Sequence, residues 1–205
     1  MTAKIRILLA EDQAMVLGAL AALLRLEDDL EVIAAVSRGD QVLPAAVTFH
    51  PDVALLDIEM PGGDGLSAAR VLHETLPSCR IVILTTFGRS GYLRQAMESG
   101  AVGFLLKDSP ADQLAIAIRR VMAGERVVDP DLALSALSEG GNPLTGREKD
   151  VLNASLAGAS IADIATQLYL SEGTVRNHLS AAIQKLNARN RLEAAQAAKE
   201  KGWLR

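Results

Sequence analysis

The sequence predicts two folds in succession. A doubly wound α/β domain with a five-stranded parallel sheet occupies residues 1–125, a linker follows at 126–143, and an all-α domain of four helices fills 144–205. Three observations carry this reading. Short apolar runs alternate with stretches of helix length up to about residue 125. The alternation then lapses into turn-forming residues, and every later segment has helical spacing.

In chain order, the strands are read at Ile5–Ala10, 30–35, Val53–Asp57, Arg80–Thr85 and Gly103–Leu106. Each is short, rich in β-branched residues and bounded by turn formers. None alternates with polar residues, which predicts strands covered on both faces, as in a parallel sheet. Helices are predicted at 13–26, 40–50, 66–76, 91–99 and 110–123. The last opens with Ser109 as N-cap, Pro110 in the first helical position and Asp112 in the third, and Gly124 stops it. Two Asp, two Pro and the Gly140-Gly141-Asn142-Pro143 run mark the linker, with a short helix at 132–137.

After Leu144, Thr145-Gly146-Arg147-Glu148 has the form of a capping box and Gly158 closes its helix. Ser160 opens a second helix that ends near Leu168. Ser171 caps a third, which runs to about Leu186, and a fourth spans 191–201 before Gly202. Trp203 is expected to pack back on that fourth helix.

The bulk properties agree with a globular cytoplasmic protein. No apolar run approaches the length of a membrane span, and the N-terminus lacks a signal-peptide pattern. Cys79 stands alone and permits no internal disulfide; it reads as a small residue near a strand start. The net charge of −4 is unevenly spread. Residues 142–205 carry nine Lys/Arg against six Asp/Glu, an excess of +3 that leaves −7 on the rest. Only the second half is suited to a polyanion.

In a parallel α/β sheet, function gathers at the carboxyl ends of the strands. Glu11 and Asp12 follow the first strand, Asp57 ends the third, Thr85 ends the fourth and Lys107 follows the fifth. Three carboxylates together repel unless a cation sits among them, and hard oxygen ligands suit Mg²⁺. A lysine and a hydroxyl beside such an ion complete a site for a transferring phosphoryl group.

Glu11-Asp12, Asp57-Ile58-Glu59-Met60-Pro61-Gly62, Thr85-Thr86 and Gly103-Phe104-Leu105-Leu106-Lys107-Asp108 resemble the flavodoxin-like receiver domains of two-component signalling. The resemblance implies Asp57 as phosphoacceptor, phosphorylated by a sensor histidine kinase. It implies Mg²⁺ among Glu11, Asp12, Asp57 and the carbonyl of Glu59, with Thr85 and Lys107 on the phosphoryl oxygens. Phe104 matches the aromatic switch position that follows the movement of the hydroxyl. Glu59 and Phe87 border the path of an attacking water and are expected to tune the lifetime of the phosphoryl group. An aspartyl-phosphate phosphatase also uses a strand-end Asp, but Glu59 offers only a superficial match to its general acid and no substrate-capping insertion exists. No enzymatic activity is expected beyond the chain's own phosphotransfer and autodephosphorylation.

In the third helix of the second half, Val175, Leu179, Ala182, Ile183 and Leu186 form an apolar stripe. Arg176, Asn177, Ser180 and Gln184 occupy another side, polar and free of acid, suited to a DNA major groove. The runs 144–152, 161–165 and 171–179 resemble the LuxR-type helix-turn-helix domain, and receiver plus this domain is the arrangement of the NarL/FixJ response regulators. That resemblance implies base contacts from Arg176, Asn177 and Ser180 and phosphate contacts near Thr174 and Lys185, on double-stranded promoter DNA. A regulator that binds DNA without phosphorylation is the alternative, which an incomplete acidic pocket would favour.

The first helix is apolar on two sides. Val16, Leu20 and Leu23 are expected to face the sheet, leaving Leu17, Ala21 and Leu24 exposed. With Ala115 and Met122 of the helix at 110–123, these are expected to form a homodimer interface on phosphorylation.

Overall fold

A computed structural model of the chain describes residues 4–86, 88–108, 110–138 and 141–204. Phe87, Ser109 and Gly140, which entered the sequence reading, lie outside the described residues. The chain divides into two compact units, residues 1–88 with 93–133 and residues 89–92 with 134–205. No helix among the described residues is long and apolar enough to cross a membrane.

The first unit runs β1 (Ile5–Ala10), α1 (Ala14–Leu24), β2 (Leu30–Val36), a 3-10 turn at Gly39–Gln41, α2 (Val42–Phe49), β3 (Val53–Asp57), α3 (Gly65–Thr75), β4 (Arg80–Thr85), α4 (Ser90–Glu98), β5 (Gly103–Leu106), α5 (Ala111–Met122) and β6 (Val127–Val128). All strand pairs are parallel, in the order β2-β1-β3-β4-β5-β6. The sheet therefore has six strands rather than the five expected. Val127 and Val128 pair with Gly103 and Phe104, and α6 (Pro130–Ser138) follows at once. The stretch 126–143 is thus structured over much of its length. A two-residue strand is too short to show a period in sequence, which is why it reads as linker.

Both faces of the sheet are buried. Ile7, Leu9, Val53, Leu55, Val82 and Leu84 join Leu24, Leu114, Ala117, Ile118 and Val121 in one core under α1 and α5. The alternate residues Leu8, Ala54, Leu56, Ile81, Ile83 and Phe104 are buried too and point to the opposite face.

Helix α1 corrects the expected interface. Leu24 is buried against the sheet, and Leu17, Leu20 and Ala21 pack on the same core, while Leu23 is 38% exposed and Met15 87% exposed. Ala14–Leu24 contains no charged residue. Nothing in its sequence marks the solvent face, so the rotation of the helix about its axis cannot be read from the pattern. Ala115 is likewise in the core, whereas Met122 and Ile116 are partly exposed. Arg119 pins α5 to the loop after α1 through Glu27 and Asp29 at 2.6 Å each. At the start of α5, Pro110 sits in the N-cap position with ψ 140° rather than in the first turn, and the helix begins at Ala111.

The second unit contains α7 (Gly146–Leu156), α8 (Ile161–Leu168), α9 (Glu172–Lys185) and α10 (Arg191–Glu200). Thr145 with Glu148, and Ser160 with Asp163, form reciprocal capping boxes; Ser171 caps α9 and Asn190 caps α10. Val151, Leu152, Ile164, Val175, Leu179, Ala182 and Ala194 are buried in its core, with Trp203 closing one side. Ile183 and Leu186 pack on that core from its margin.

Candidate functional site

The strand order reverses at β1, which lies between β2 and β3. Helices leave the sheet in opposite directions there, opening a crevice at the carboxyl ends of the strands. Glu11 and Asp12 come from the end of β1 and Asp57 from the end of β3. One carboxylate oxygen of each lies within 4.8 Å of the others. Glu11 is 2% exposed and Asp57 5%, while Asp12 opens to solvent.

Lys107 reaches into this cluster from the end of β5. Its Nζ is 2.6 Å from Glu11 Oε2 and 3.0 Å from Asp57 Oδ2. The Ile58 amide donates to Asp57 Oδ1 at 2.8 Å, and the Gln13 amide donates to Glu11 Oε1 at 3.1 Å. Burial pushes the Asp57 carboxyl up to about 6; the Lys107 ammonium opposes the shift and the Glu11 charge adds to it. Burial alone would lower the pKa of Lys107, but hydrogen bonds to Glu11 and Asp57 raise it. The ammonium is therefore held charged.

Three carboxylates and one ammonium leave two negative charges uncompensated. Glu11 Oε2 is buried, with the Lys107 ammonium beside it and no other donor among the described residues. A buried oxygen with free lone pairs, in an oxygen-only cluster of excess negative charge, fits a hard divalent cation.

Thr85 is 2% exposed at the end of β4, on the strand that pairs with β3, and its carbonyl accepts from the Lys107 amide at 2.8 Å. Thr86 is already outside the strand and exposed. Phe104 is fully buried on β5. Glu59 stands exposed in the turn after β3. Gly65 was missed in the sequence. A Cβ there would overlap the carbonyl oxygen of Asp57, and its amide donates to Ile58 at 2.9 Å. The signal was available: a glycine directly after the Asp64 N-cap, where a helix former would serve better.

In the second unit, Arg176, Asn177, Ser180 and Gln184 all lie exposed along α9. Arg176 Nη2 donates to Glu172 one turn earlier at 2.7 Å. Thr174 is half-buried, its hydroxyl 2.8 Å from that of Ser171. Lys185 has a partner inside the unit. Its Nζ bonds both oxygens of Glu148 at 2.9 and 2.8 Å. The buried Glu148 carboxylate needs a cation inside the unit, and the ammonium is turned to the capping box of α7.

Residues 7–119 match the response regulator receiver domain, and residues 142–198 match the bacterial regulatory proteins of the luxR family. The chain is a LuxR-family response regulator. Two relatives from Bacillus subtilis (strain 168) are each 48% identical to it: the uncharacterised transcriptional regulatory protein YvfU over 200 residues, and the transcriptional regulatory protein DesR over 201. Each alignment covers 98% of this chain and all of the relative. Among solved structures, the response regulator ChrA of a heme-sensing two-component system is 32% identical, with a TM-score of 0.59 over 99% of this chain and all of that one. The two-component response regulator RcsB, solved with DNA, shares the fold at 20% identity and a TM-score of 0.67, over 96% of this chain and 98% of that one. This response regulator is therefore a two-component transcription regulator rather than a metabolic enzyme, with a receiver ahead of a DNA-binding domain.

Proposed function

We propose that this response regulator works in the cytoplasm and accepts a phosphoryl group on Asp57 from a sensor histidine kinase, and that phosphorylation pairs two copies on promoter DNA. The observation that supports this best is the cluster of Glu11, Asp12, Asp57 and Lys107 at the reversal of strand order. An Asp57 oxygen forms the new O–P bond as the N–P bond of the kinase's phosphohistidine breaks, and the imidazole keeps the electron pair. Glu11, Asp12, Asp57 and the carbonyl of Glu59 would hold Mg²⁺, which neutralises charge on the phosphoryl oxygens when bound. The Lys107 ammonium takes one phosphoryl oxygen and the Thr85 hydroxyl another. Phe104 is the aromatic that follows that hydroxyl. Loss of the group to water, along a path bordered by Glu59, returns the chain to its resting form.

Residues 1–125, with the strand at Val127–Val128, are assigned to phosphorylation and 144–205 to DNA. Arg176, Asn177 and Ser180 face bases, with Thr174 and Lys185 beside phosphates. The pairing surface moves to Met15 of α1 and Leu26 of the turn after it, exposed at 87% and 79%, together with Ile116 and Met122 of α5. A Phos-tag gel with acetyl phosphate and Mg²⁺ tests the core of this proposal. Wild type should shift and Asp57→Ala should not; equal incorporation would place the phosphoacceptor elsewhere.

A further inference from the structure

Tyr169 ends α8 in the left-handed region, φ 54° and ψ 46°, where it makes the turn into α9. A bulky L-residue is strained there, while glycine or asparagine is not. Two other non-glycine residues share the conformation. Asn187 is a type that tolerates it, and the carbonyl of His50 accepts a hydrogen bond from Arg6 at 3.0 Å. The side chain of Tyr169 receives nothing of that kind. It is 96% exposed, and among the described residues its phenol has no hydrogen-bond partner. Backbone bonds from Tyr169 and Leu170 to the last turn of α8 close the helix whatever residue stands there, and neither packing nor hydrogen bonding of the side chain offsets the strain of keeping an aromatic at this position. Such strain points to use outside the chain.

The place of the residue indicates the use. Leu170 and Ser171 alone separate it from α9, whose exposed face carries Arg176, Asn177 and Ser180. It belongs to the turn and not to that face, so it stands at the rim of any groove that α9 enters. Groove rims are lined by phosphates, and tyrosine hydroxyls donate to them. We propose that Tyr169 is a DNA-backbone contact, its phenolic O–H donating to a phosphate oxygen beside the groove read by α9. The inference rests on reading the exposed face of α9 as the DNA surface. A neutral donor positions the domain without displacing counterions, so its contribution is independent of both base sequence and salt.

The test uses the full chain with acetyl phosphate and Mg²⁺, and fluorescence anisotropy on two duplexes: one of random sequence and one selected for binding to the wild type. Tyr169→Phe should weaken binding to both by about tenfold and leave the salt slope unchanged. Tyr169→Asn should bind at least as weakly yet melt at a higher temperature, since asparagine relieves the strained turn. A Tyr169→Phe chain that binds both duplexes as the wild type does overturns the contact, whatever Tyr169→Asn shows. If Arg176→Ala and Asn177→Ala also bind the selected duplex as the wild type does, the DNA reading of α9 fails and the inference falls with it. Tyr169 variants that bind normally, beside an Arg176→Ala chain that loses the selected duplex, would remove the inference alone.

Discussion

Asp57 ionises near pH 6 in the folded chain against 3.8 for an ordinary aspartate, chiefly because it is buried. Its folded pKa is raised, so the stability tied to the neutral carboxyl is whole below about pH 4 and is lost as pH rises through 6. In Mg²⁺-free buffer, Asp57→Asn should therefore be more stable than wild type at pH 7–8 by about 3 kcal/mol. Urea melts across pH should show that gap closing towards pH 4, and a constant gap would mean that Asp57 is not charged at a cost. In the second unit the residues divide differently. Lys185→Ala leaves the Glu148 carboxylate buried beside its capping box without a cation, and should cost about 1–3 kcal/mol of stability. Arg176→Ala touches only an exposed pair with Glu172. It should leave stability unchanged and cost about 1–3 kcal/mol on the selected duplex alone. Melting curves and anisotropy on both variants separate the two roles.

Among the elements, α1 shows where sequence and structure part. The five longer strands and the four helices after residue 144 were legible to within a residue or two, since each carries a burial pattern or a cap with a definite geometry. The pocket was legible because strand ends are marked by turn residues, and Glu11, Asp12, Asp57, Thr85 and Lys107 fall on them. Burial phase is another matter when no polar residue marks the outside. Leu17, Ala21 and Leu24 have the same spacing as Val16, Leu20 and Leu23, and the core takes residues from both sets, Leu20 beside Leu17, Ala21 and Leu24. The pairing of Lys185 with Glu148 was not legible for a related reason: its partner lies 37 residues away, beyond any local pattern. At this scale Leu24→Ala should cost about 2–5 kcal/mol, and Met15→Ala no more than about 0.5. Comparable losses in chemical denaturation would mean that α1 is turned the other way.

At the scale of the molecule, two copies must meet for a receiver to place two basic domains on neighbouring half-sites. On the proposed function, the exposed apolar residues of α1, α5 and the turn after α1 would supply the surface. Substitution at Leu24 would disturb the core and says nothing about pairing, so the informative change is Met15→Asp with Leu26→Asp. The doubly substituted chain should fold and take up phosphate normally, yet sediment as a monomer in beryllofluoride and Mg²⁺ where the wild type forms a dimer. A dimer that survives both charges would move the interface to another helix.

Cys79 lies 3% exposed just before β4, and burial, aided by the charge of Asp52, pushes its thiol up to about 12. At neutral pH the native chain presents almost no thiolate, and a disulfide-exchange reagent should find it inert by a thousandfold or more relative to a free cysteine. The chain has no second cysteine to compete. Labelling then becomes a clock, because each modified molecule records an opening of the sheet at the amino end of β4, opposite the acidic pocket. Run with and without beryllofluoride, that clock reads how strongly the phosphorylated form holds its sheet closed, with no probe introduced and no residue replaced.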